Sequence, residues 1–133
     1  MKHDVKTFGF LIQHEEMGKV VFMTDTYYSP FKFQGVNNWI IEANYSEKIL
    51  AEKESNGISY VTDRVRRSHL SVENCIKTLQ ANDLSLTNNI VLIHLSDSNS
   101  DEKLFHKMVS EATNKNVTVA DKGVVIEFNK YSF

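Results

Sequence analysis

Three polar residues stand where a sheet protein could use them for chemistry. Asp25 follows the strand-like run KVVFMT, within Thr24-Asp25-Thr26. His94 ends the run IVLI and heads the segment His94-Leu95-Ser96-Asp97-Ser98-Asn99. His69 lies in Arg66-Arg67-Ser68-His69-Leu70-Ser71, just ahead of a helical pattern. Open α/β sheets place ligands at the C-terminal ends of strands and in the loops that follow. Carboxylate and imidazole are the usual oxygen and nitrogen donors for zinc and similar divalent ions. Each residue also has a plainer role open to it. Asp25 suits a turn or Asx cap, His94 a hydrogen-bonded place in the core, and His69 a helix cap or a solvated loop. Taken singly, none is specific.

The elements that must position them are legible from periodicity. Thr7 to Ile12 and Lys19 to Thr24 are rich in β-branched and aromatic residues and read as a hairpin around Gly18. Trp39 to Ala43 and Ile90 to Leu95 are continuous apolar runs, the pattern of strands covered on both faces. Three helices are predicted. Ser46 to Asn56 ends at Gly57, and Ser71 to Asn82 carries Val72, Cys75, Ile76 and Leu79 at helical spacing. Ser100 to Asn114 has Ser100 as N-cap and an apolar face of Leu104, Phe105, Met108, Val109 and Ala112. The last segment reads as a second hairpin, Val117 to Val119, a turn at Asp121-Lys122-Gly123, then Val124 to Phe128. The expected class is α/β or α+β: one domain, residues 1–133, with a mixed sheet and about three helices packed on it.

Composition narrows the function classes. The chain has 133 residues, 41% apolar and 24% charged, with five Gly and one Pro, so disorder and fibrous structure are excluded. No apolar run reaches the ~18 residues of a membrane span, and no signal-peptide core follows Met1. The single cysteine, Cys75, points to a reducing, cytoplasmic setting. A net charge of -2 argues against coating nucleic acid by bulk electrostatics. His14 and His106 read as solvent-exposed, and Cys75 as inert packing.

The order strand–TDT, strand–Glu, RSHLS–helix, strand–HLSDSN–helix, terminal hairpin resembles the second half of the metallo-β-lactamase fold. The similarity is greatest to the RNase Z-like and exonuclease- or phosphodiesterase-like hydrolases, and it runs from about Thr7 to Phe128. The resemblance implies that Asp25 bridges two metal ions and that His94 completes the second metal site. It implies that His69 assists proton transfer and that Glu42, in Trp39-Ile40-Ile41-Glu42-Ala43, orients it. Two ions ~3.5–4 Å apart would polarise a phosphoryl oxygen and lower the pKa of a bridging water, and zinc is the expected metal. Arg66 and Arg67 could bind a substrate phosphate, or form, with Arg64, a solvated basic loop.

The family's main metal motif, HxHxDH, does not occur in the sequence. Asp25 and His94 alone cannot hold two ions, because catalytic zinc takes three protein ligands and water. The expectation is a C-terminal half of the two-sheet fold, with an apolar sheet face that needs a partner. That partner is either an N-terminal half carrying HxHxDH or a second copy of the chain. The expected activity is phosphodiester hydrolysis in the completed assembly. The competing expectation is a catalytically inactive binding module that reuses the half-fold.

Overall fold

Once the strands pair, their alternate residues separate into two faces, and this decides where the core lies. The computed structural model describes residues 9–25, 32–57, 60–97 and 100–131. Its elements run β1 (Phe10–His14), β2 (Gly18–Met23), β3 (Val36–Glu42), α1 (Glu47–Glu54), α2 (Tyr60–Ser68), α3 (Val72–Gln80), β4 (Asn89–Ile93), α4 (Glu102–Thr113) and β5 (Asn116–Val119). The strands form one sheet in the order β1-β2-β3-β4-β5. β1 is antiparallel to β2, and β2 through β5 are parallel. This is the mixed-sheet α+β architecture expected from the sequence.

Register then assigns the layers. Val21, Trp39, Ile90 and Val117 lie abreast, and Met23, Ile41, Leu92 and Val119 form the next row. These rows pack against Cys75 and Leu79 of α3 and Phe105 and Val109 of α4 in one core cluster. Each large side chain buried there contributes ~1.5–3 kcal/mol. Ser46 and Ser71 cap α1 and α3 by accepting from the Ile49 and Asn74 amides. Asn114, left-handed at φ 56°, ends α4.

The opposite face is less covered. Its central row is Phe10, Phe22, Ile40, Val91 and Thr118. Val91 is buried, Phe22 and Ile40 are half-buried, and Phe10 is 56% exposed. The neighbouring row carries Asn38, Asn89 and Asn116, whose carboxamides bond in series across three strands.

Between β2 and β3 the register slips by one residue, leaving Asn37 as a bulge. Its Oδ1 accepts from the Lys19 amide, and its Nδ2 donates to the Leu86 and Lys130 carbonyls. Gly18 sits beside it at φ 70°, where an added Cβ would strike Asn37 Oδ1.

Three expectations change. Residues 60–68 form α2, which lacks a readable apolar stripe in Tyr-Val-Thr-Asp-Arg-Val-Arg-Arg-Ser. The turn at Asp121 forms, with the Val124 amide donating to the Asp121 carbonyl, but 124–128 is not a second hairpin strand. Asparagine side chains hold residues 127–130 instead: Asn89, Asn38 and Asn37 donate to the carbonyls of Glu127, Asn129 and Lys130. Side-chain amides from distant strands thus take carbonyls that ladder bonds would otherwise use. Finally, the α4 N-cap is Asp101 rather than Ser100, since Asp101 Oδ1 accepts from the Leu104 amide. The expected strand residues Thr7 and Phe8, and Thr26, Ser98 and Asn99 of the motifs, lie outside the described residues.

Candidate metal centre

Parallel strands all end on the same rim of a sheet, and three adjacent ones deliver polar residues there. Asp25 follows β2, Glu42 ends β3 and His94 follows β4. His69 reaches the same rim from the junction of α2 and α3, where its amide closes the last turn of α2 on the Val65 carbonyl. Together Asp25, Glu42, His69 and His94 form a cluster that could hold a metal ion, with donor atoms within 4.8 Å of one another.

Glu42 is the centre of this arrangement. It is fully buried, a costly position for a carboxylate unless it is well bonded. Its Oε1 accepts from the amides of Asp25 (3.1 Å) and Leu70 (2.9 Å). Its Oε2 lies 2.9 Å from His69 Nδ1 and 2.6 Å from His94 Nδ1. A carboxylate is acceptor-only, so the bonding assigns the proton of each ring to Nδ1. The Nε2 lone pair of each ring is then left for a ligand, the usual outcome of a carboxylate–histidine pair at a metal. Asp25 Oδ1 sits 3.3 Å from His94 Nδ1 and 3.7 Å from His69 Nδ1, and the two rings meet edge to face at 4.9 Å.

The exposure gradient suits a site that meets a ligand. Glu42 is sealed, while the side chains of His69, Asp25 and His94 are 25%, 39% and 47% exposed. Backbone strain is concentrated in the same place. Asp25 (φ 55°) and His94 (φ 61°) are both left-handed, which for a non-glycine residue costs ~1–3 kcal/mol. Asn114, also left-handed, has an ordinary reason as a helix cap.

Arg66 is engaged on α1. Arg66 Nε bonds both oxygens of Glu47 (3.3 and 3.0 Å), and Arg66 Nη1 pairs with Glu54. The guanidinium therefore ties α2 to α1. Desolvation opposes its charge, and the hydrogen bonds of Glu47 and Glu54 more than compensate, raising its pKa. Arg67 and Arg64 are exposed on α2, a solvated helix face rather than a basic loop. Burial, with the Glu47 carboxylate adding to it, raises the Tyr45 phenol pKa; Tyr45 donates to Glu47 at 3.1 Å. Burial also pushes the Cys75 thiol far up, with the charge of Glu42 as a second cause, so this cysteine is packing, as expected. His14 and His106 are exposed, as expected. No helix among the described residues is long and apolar enough to cross a membrane.

One residue at the site escaped the sequence reading. Asn44 is 6% exposed and is bonded to the loops of both histidines. Its signal was faint: a polar residue two positions past Glu42, at the end of an apolar strand. Compared with models of known protein families and with curated proteins, the chain matches none.

Proposed function

We propose that this chain is the C-terminal, metal-holding half of a phosphodiesterase of the metallo-β-lactamase type. The observation that carries the reading is the convergence of two histidines and two carboxylates, from four separate segments, on one sheet rim. Asp25 and His94 would hold zinc. His69, with its Nδ1 proton fixed on Glu42, would accept the proton of the attacking water at Nε2 and pass it to the leaving oxygen. When bound, the metal polarises the phosphoryl oxygen and activates water at neutral pH. A dinuclear centre needs more donors than these four residues supply, and an HxHxDH segment from the partner half would provide them.

Support for a partner also comes from β1. Phe10 (56%), Leu11 (53%) and Ile12 (46%) are exposed on both faces of an edge strand with no charged residue. Such an edge invites pairing. The second reading, a homodimer acting as a binding module, rests on this same edge.

Zinc titration of the purified chain is expected to give at most one weakly held ion per chain, lost in Asp25→Ala and His94→Ala. Hydrolysis of a phosphodiester should appear only when a half carrying HxHxDH is added. Zinc uptake indifferent to both substitutions would remove the metal site from the account. Light scattering adds a separate prediction: the chain alone self-associates through β1, and Leu11→Lys reduces this. A tight dimer that stays inactive with the complementary half would favour the binding module.

A further inference from the structure

We infer that Asn44 is a positioning residue that holds the two imidazoles of the site in one frame; the inference rests on the metal-centre reading given above. Beyond Glu42, the chain continues as an extended segment between the loops that carry the histidines. The Ala43 amide donates to the Ile93 carbonyl (3.1 Å), and Tyr45 bridges Ser71 in parallel, with the Val72 amide donating to the Tyr45 carbonyl (2.8 Å). Asn44 occupies the middle of that segment and is bonded on both sides. Its amide donates to the Leu70 carbonyl (2.9 Å), one residue past His69. Its carbonyl accepts from the Ser96 amide (2.8 Å), two residues past His94. Its side-chain Nδ2 donates to the carbonyl of His94 itself at 2.7 Å.

The two backbone bonds would survive most substitutions, but the side-chain bond is specific to asparagine. His94 is left-handed, so its carbonyl departs from the direction that an extended strand would give it. That part-buried carbonyl, turned out of the ladder, takes its hydrogen bond from Asn44 Nδ2. Fixing that carbonyl fixes the backbone of His94, and hence the line along which its ring meets Glu42 Oε2. None of these Asn44 bonds reaches a donor atom of the cluster. It acts through the backbone of a residue that carries one. Asparagine meets the requirement because its amide donates while remaining uncharged; aspartate has nearly the same shape and no donor.

The test compares Asn44→Asp and Asn44→Ala with Asn88→Ala, which removes the Asn88 bond to the Asn129 carbonyl, away from the rim. In the metal-free chain, the His94 Cα and Cβ chemical shifts of both Asn44 variants are expected to leave left-handed values, and those of Asn88→Ala to stay. Zinc affinity is expected to fall by ~10–100-fold in the Asn44 variants, the usual effect of losing an outer-shell partner, and to be unchanged in Asn88→Ala. Unchanged His94 shifts in Asn44→Asp would overturn the inference. Shifted His94 signals, in a chain whose zinc uptake ignores Asp25→Ala and His94→Ala, would retain the positioning role and reject the metal centre. Should neither Asn44 variant fold, the wild-type chain decides: slow exchange of the Asn44 carboxamide protons and their Overhauser contact to His94 Hα are expected. Fast exchange of those protons would overturn the inference.

Discussion

Glu42→Gln is expected to leave the chain folded while lowering zinc affinity by ~10–100-fold, the range for outer-shell carboxylates. The amide can keep one carbonyl oxygen on the Asp25 and Leu70 amides, the two bonds that Glu42 Oε1 accepts. What it cannot keep is an acceptor facing two Nδ1–H groups. An NH₂ at the place of Oε2 forces each ring to turn or to move its proton to Nε2, and the coordinating lone pair goes with it. Glu42→Ala goes further. It takes the acceptor from the buried Leu70 amide, at ~1–3 kcal/mol, and from the part-buried Asp25 amide, and opens a cavity behind the site. Equilibrium unfolding in urea and competitive zinc titration separate the two effects. Glutamine retaining full zinc affinity would show that Glu42 orients neither histidine.

Trp39→Ala should produce the largest loss of stability, ~3–5 kcal/mol. Trp39 is fully buried in the middle of β3 and packs edge to face on Phe33 at 6.2 Å. Its Nε1 donates to Thr87 Oγ1 (3.2 Å), which donates onward to the Val36 carbonyl (2.7 Å). The substitution removes an aromatic body from the centre of the core and one member of a buried polar relay. Against a typical total of ~5–15 kcal/mol, that loss is a large share of the stability. Far-ultraviolet circular dichroism against urea measures this directly, and a loss under ~1 kcal/mol would mean that the core re-forms around the gap.

The contrast between these residues and the rest shows what a sequence can carry. The apolar runs of β2, β3 and β4 announce themselves because those strands are covered or partly covered on both faces. Asp25 and His94 stand out only through the joint order of the motifs, since taken singly each has an ordinary structural use. Glu42 is a carboxylate inside an apolar run, and only the family resemblance gave it a role; its contact with both histidines, not His69 alone, depends on how three strands align. Helix α2 was hidden because its sequence is mostly polar; ion pairs from Arg66 tie it to α1. The Val124–Phe128 run was misleading for the opposite reason. Carboxamides from distant strands hold the chain at Glu127, Asn129 and Lys130, and the run forms no ladder. The left-handed backbone at Asp25 and His94 left no trace, since neither position is a glycine.

The bulge at Asn37 has a consequence for how this protein can change over generations. A side chain at position 18 collides with Asn37, and shortening Asn37 alone strips a donor from the Leu86 and Lys130 carbonyls and an acceptor from the Lys19 amide. Each single step passes through a damaged intermediate, whichever comes first. The pair is therefore expected to be inherited as a unit, with a barrier on every one-step route between alternatives. Among diverged copies of this chain, a non-glycine at position 18 should occur only where position 37 has also been replaced.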